Sequence, residues 1–169
     1  MIERPNTEPE DPANAIASLA FPEQFLVWAA RLWVAKLKEP MAALPSLHAG
    51  FQMAGVPDSL LGLDAVLGAV AESALRPLDV RCLKCRSLGA DEALLLRAVS
   101  LAQHNRFVES ARIIAEWLPP MEARIAHRHL RALASEFLEA DLSLPLRPSP
   151  TAEHACPAGY GDIGLTLVH

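Results

Sequence analysis

The chain reads as an all-α protein: a single compact helical domain of about six helices with an irregular C-terminal arm. Three observations predict this. Apolar residues recur at helical spacing through most of the 169 residues. Alanine and leucine dominate while β-branched residues are sparse, a composition that favours helix over strand. Prolines and glycines punctuate the periodic stretches. With 51% hydrophobic and 21% charged residues, the chain is apolar enough to fold and long enough to bury one core. The expected division is a tail at 1–20, a helical domain at 21–141 and an arm at 142–169.

The tail is acidic and proline-rich, giving way at 13–20 to a short helical turn. It has neither the basic start nor the apolar run of a signal peptide. The first strong helix is expected over Phe21–Lys38, with Pro22 in the first turn and Glu23 beside it, both suited to a helix N-terminus. Gln24, Arg31 and Lys38 recur every seven residues and make one narrow polar stripe. The rest of the circumference, including Phe25, Leu26, Trp28, Leu32 and Trp33, is apolar, as in a helix central to its domain. A second helix over Met41–Ala54 carries Pro45 near its first turn and stops at Gly55. Asp58 is placed to cap a third, Ser59–Leu75, whose small residues Gly62, Ala65, Ala69 and Ser73 allow close approach of a neighbour.

A helical hairpin follows, Ala90–His104 and Arg106–Leu118, with Asn105 at the corner. The spacing of Ala98, Leu101, Phe107, Ser110 and Ile114 resembles a single tetratricopeptide-type hairpin. Trp117 stands where that pattern has a small residue, and the pattern does not recur at a fixed period. The stretch is therefore read as a generic αα-hairpin with no family function carried over. Pro119-Pro120 breaks the chain. The last helix, about Met121–Ala140, sets Ala126, Leu130, Leu133 and Phe137 on its core face and its arginines on the other. In the arm, Ile163–Val168 is left without an assignment.

The formal charge of −5 lacks the broad positive field of a nucleic-acid binder, so no nucleic-acid partner is expected. The longest uncharged stretch, Met41 to Pro57, is broken by Pro45, Gly50 and Gly55, so no membrane partner is expected either. Three cysteines cannot all pair within one chain, which places the protein in a reducing cytoplasm.

Chemistry would begin in the connection Asp79–Gly89. It holds Cys82 and Cys85 spaced C-x-x-C among Arg76, Arg81, Lys84 and Arg86. Two sulfurs so spaced can ligate one metal ion, and tetrahedral zinc needs two more ligands. His154 and Cys156 in the arm would complete a site of three sulfurs and one nitrogen. Zinc is thus a possible cofactor, with none otherwise expected. A thiol redox site is the other alternative, since the neighbouring cations favour thiolate. The context of parallel strands around a thioredoxin-like site is absent, and packed, inert thiols are the plain reading.

His127 and His129 are two apart on a helix and point away from each other. Asp64 and Glu72 are two turns apart, too far to share a proton. His48 and His104 are isolated in sequence. No nucleophile elbow, phosphate loop or dinucleotide fingerprint occurs, so an enzyme is not expected, and charged tracts are read as solvated surface. The function expected is protein–protein interaction, as a helical adaptor or regulatory subunit that also self-associates into a homo-oligomer. The first and third helices are apolar on more of their surface than one core requires. Ile113 and Trp117, one turn apart and off the hairpin face, form a further stripe proposed to bind a partner.

Overall fold

The computed structural model describes residues 15–147. Among them a 3-10 turn, Ile16–Ser18, precedes six helices: α1 (Phe21–Lys36), α2 (Pro40–Met53), α3 (Ser59–Ser73), α4 (Ala90–Gln103), α5 (Phe107–Trp117) and α6 (Pro120–Glu139). The all-α expectation holds, with no strand among the described residues. None of these helices is long and apolar enough to cross a membrane.

α3 runs along α6; α4, α5 and α6 pack on one another; α1 lies on α2 and reaches α3 and α4. Leu26, Leu47, Phe51, Leu63, Ile114, Leu130 and Phe137 are fully buried where these faces meet. Gly62 permits the close α3–α6 contact: a Cβ there would stand 3.1 Å from Leu133 Cβ and 3.2 Å from the His129 carbonyl oxygen. Two corners are as expected. Gly55 stops α2 at φ 77° and Asn105 turns the hairpin at φ 60°, the left-handed region these residues tolerate best. Asp58 makes no side-chain cap on α3, and Ser59 is tied instead to Glu136, its hydroxyl donating at 2.6 Å.

α1 and α4 begin with the same device. A glutamate at the third helical position turns back and accepts the backbone N–H before the helix: Glu23 from Ala20 at 2.8 Å, Glu92 from Gly89 at 2.7 Å. Both glutamates are buried and each is met by a distant arginine. Arg147 donates to Glu23 through Nε at 2.6 Å and Nη2 at 2.8 Å.

The folded body is larger than the sequence division allowed. Leu19 is buried, and the Ile16 N–H donates to the Arg86 carbonyl at 2.9 Å, so the end of the expected tail is part of the domain. At the other end Leu142 and Leu144 enter the core. Their backbone is held by α4: Gln103 donates to the Leu142 carbonyl at 3.0 Å and accepts from the Leu144 N–H at 2.8 Å. Alternating leucines, with partners for the backbone N–H and C=O of both Leu142 and Leu144, explain why this extended segment packs without being a strand.

The indole of Trp28 meets Gly50 of α2 with the outer edge of its benzene ring. A Cβ at Gly50 would fall 2.5 Å and 2.6 Å from two ring carbons. Trp28 is also stacked on Phe25, with ring centroids 5.7 Å apart, so it has little room to yield. Gly50→Ala is expected to lower stability by about 1–3 kcal/mol through overpacking. Chemical denaturation followed by tryptophan fluorescence checks this, and an unchanged midpoint and spectrum would show that the ring moves freely.

Candidate functional site

The connection between α3 and α4 carries both cysteines, and its path is set by buried charge. Arg31, in mid-α1, is only 3% exposed. Its Nε and Nη2 donate to the two Glu92 oxygens at 2.6 and 2.7 Å. The remaining donors hold the loop: Nη1 bonds the Cys82 and Cys85 carbonyls at 3.1 and 2.6 Å, and Nη2 bonds the Ser87 carbonyl at 2.7 Å. Glu92 accepts the Arg81 N–H at 3.1 Å as well. All five guanidinium-type donors can be used only in such a planar fork, which is why arginine and not lysine suits the place.

Asp91 does the same on the other flank. It accepts both Arg76 Nη atoms at 2.9 and 2.6 Å, the Asp79 N–H at 2.7 Å and the Trp117 indole N–H at 3.0 Å. Burial pushes the Asp91 carboxyl up, but the hydrogen bonds from Arg76, Asp79 and Trp117, with the Arg76 charge, outweigh it and hold the group below the usual carboxylate range.

Within this frame the Cys85 N–H closes a turn onto the Cys82 carbonyl at 3.0 Å, and the two sulfurs are joined as a disulfide. Cys82 is exposed and Cys85 half-buried. The turn forms one bank of an open groove of about 720 Å³. Ile16 of the 3-10 turn, Val27 and Trp28 of α1, and Leu83 between the cysteines supply its apolar surface. Lys84 and Arg86 line the same side. Arg76 and Arg81 are neutralised locally, by Asp91 and Asp79. Lys84 and Arg86 have no carboxylate partner among the described residues.

The other sequence-derived candidates fall as follows. Cys82 and Cys85 are brought together, while His154 and Cys156 lie outside the described residues, as does Ile163–Val168. Among the described residues no three His, Cys, Asp or Glu side chains cluster to hold a metal ion. Ile113 and Trp117 are buried at 6% and 1% exposure, so the stripe expected to face a partner belongs to the core of this chain. The bulky Trp117 fits because its N–H reaches Asp91 and its carbonyl accepts the Leu75 N–H at 2.8 Å. His48 and His104 bond carbonyls of their own helices, Leu44 and Ser100, and neither lines the cysteine groove.

Sequence reasoning missed the buried ion pairs. Local spacing places Arg31 in a narrow polar stripe with Gln24 and Lys38 and assigns no role to Asp91 or Glu92. The available signal was a lone arginine in a largely apolar helix, and an acidic pair directly after a basic loop.

His127 and His129 diverge as expected, His129 being exposed. His127 Nε2 is buried without a partner among the described residues. Burial and then the Arg131 charge lower its pKa. Near pH 6.5 the unfolded chain therefore binds more protons at this position, and stability falls as pH drops below about 6.5 toward the native value. Replacing His127 with glutamine should flatten that part of the profile, as measured by urea titrations between pH 7.5 and 5.

Comparison with protein-family models, with curated proteins and with solved structures gave no match for this chain. The site's own geometry therefore carries the functional reading.

Proposed function

We propose that the chain is a helical protein–protein interaction module whose docking surface is the groove between the 3-10 turn, α1 and the cysteine turn. The occupant is an extended acidic segment of a partner protein carrying at least one large apolar side chain. One observation carries this reading. Lys84 and Arg86, without carboxylate partners among the described residues, flank the apolar surface of Trp28, Val27, Ile16 and Leu83. Charge complementarity gives encounter and register, and the half-buried indole gives the anchoring area. The volume is within the range that encloses a few side chains. The packed helices behind it keep the groove in shape, and the role proposed is that of a non-enzymatic adaptor or regulatory subunit acting in the cytoplasm.

A fluorescein-labelled peptide of alternating glutamate and leucine, with a lysine–leucine peptide as control, tests this by anisotropy. The acidic peptide should bind and weaken with salt, and the control should not bind. Lys84→Glu with Arg86→Glu should abolish binding while the helical spectrum stays intact. Trp28→Ala should lower affinity by about 2 kcal/mol. Equal binding of both peptides, or of neither, would sink the proposal. Self-association through the same groove would appear as concentration-dependent sedimentation suppressed by the acidic peptide.

A further inference from the structure

We propose that Cys82 and Cys85 form a redox-active pair that undergoes thiol–disulfide exchange with an external disulfide. Cys82 is the sulfur that meets the outside reagent, and Cys85 is the one that resolves the mixed disulfide. The two differ in access: Cys82 is exposed, whereas Cys85 is half-buried and lines the groove. Their backbone is fixed by contacts other than the sulfur bond. The Cys82 and Cys85 carbonyls are both bonded to Arg31 Nη1, and Arg31 is anchored by Glu92 in the core. Arg81 and Ser87, on either side of the pair, are held by the same ion pair. Reduction thus leaves two thiols facing each other on a turn that does not need the disulfide to keep its path. A pre-positioned second thiol makes closure effectively unimolecular and fast.

The chemistry balances without a further reagent. The Cys82 thiolate attacks one sulfur of an external disulfide, forms a mixed disulfide and expels one thiolate, which takes up a proton. The Cys85 thiolate then attacks the Cys82 sulfur and expels the second thiolate, again protonated. The protein dithiol is oxidised by two electrons and the external disulfide becomes two thiols; the reverse sequence reduces the protein. Lys84, exposed between the two cysteines, offers an attractive charge to an anionic disulfide such as glutathione disulfide. This chemistry stands whether or not the groove docks a partner, and peptide binding is read separately on each redox form.

The test uses full-length protein with Cys156→Ser, so that only the pair reacts. Reduced protein is incubated in mixtures of glutathione and glutathione disulfide, free thiols are trapped with a maleimide, and intact masses are read. The expected result is a reversible two-electron transition with no lasting glutathione adduct. Adding Cys85→Ser should accumulate one glutathione on Cys82, and adding Cys82→Ser should leave Cys85 reacting several-fold more slowly. Lys84→Glu should slow the first step several-fold, with no change in circular dichroism. The proposal is overturned if the pair stays reduced at every ratio, or if the two serine variants react at equal rates. It is likewise overturned if the reduced protein binds one zinc ion through both cysteines and is thereby blocked from oxidation.

Discussion

Replacing Arg31 with alanine is expected to destabilise the fold by about 3–5 kcal/mol, because the Glu92 carboxylate would remain buried without its counter-charge. In a chain of this size that corresponds to a fall in Tm of roughly 6–20 °C. The loss extends beyond the ion pair, since the carbonyls of Cys82, Cys85 and Ser87 lose their donor together. Limited proteolysis should then cut first between Arg76 and Gly89. An apolar replacement of both partners, Arg31→Met with Glu92→Leu, should recover part of the stability, because no uncompensated charge is left. It should not recover protection of the loop, whose carbonyls and the Gly89 N–H still lack partners. If Arg31→Ala melts within a degree or two of the parent, the guanidinium is not bearing on the fold as the geometry requires.

Trp117→Ala is the second large effect, about 3–5 kcal/mol from the cavity left by a fully buried indole. A tryptophan at a partner interface would instead leave the monomer's stability unchanged and weaken association. Denaturation of the monomer therefore separates the two roles, and the burial of Trp117 predicts loss of fold. Trp117→Phe isolates the hydrogen bond. It keeps most of the ring and removes the N–H given to Asp91, worth about 1.5–3 kcal/mol for a charged acceptor. Its effect depends on pH in a defined direction. Asp91 has a lowered native pKa, so its bonds stabilise the fold above the unfolded carboxylate value and lose that effect as pH falls through the native one. The gap between parent and Trp117→Phe should therefore narrow as pH drops below about 4. A gap independent of pH would mean that the indole contributes by packing alone.

The placement of function shifts accordingly. The apolar excess that suggested a partner stripe on α5 is absorbed within the chain, by packing among α4, α5 and α6 and by the Asp91 contact. What remains open is at the opposite end of the α3–α4 connection, where Trp28 rests on Gly50 at the edge of a groove with two cations free of described carboxylates. The first helix supplies part of that surface, through the half-buried Trp28 and the buried Val27 beside it.

The sequence by itself determined the helices. Their existence, order and approximate ends follow from local spacing, from Gly55 and Asn105 at left-handed corners and from proline breaks, all of which act within a few residues. It also determined that Cys82 and Cys85 meet, since a C-x-x-C turn is local. Only the tertiary structure decided which charges are buried. Arg31 and Glu92 are 61 residues apart, and Glu23 and Arg147 are 124 apart. A charged side chain carries the same local signal whether it faces water or a counter-ion. Its burial becomes tolerable only when a partner from another helix arrives, and that encounter depends on how the helices pack. The same reason hid the groove: Ile16, Trp28 and Leu83 come from three separate segments, and their proximity exists only once Arg31 has drawn the cysteine turn onto α1.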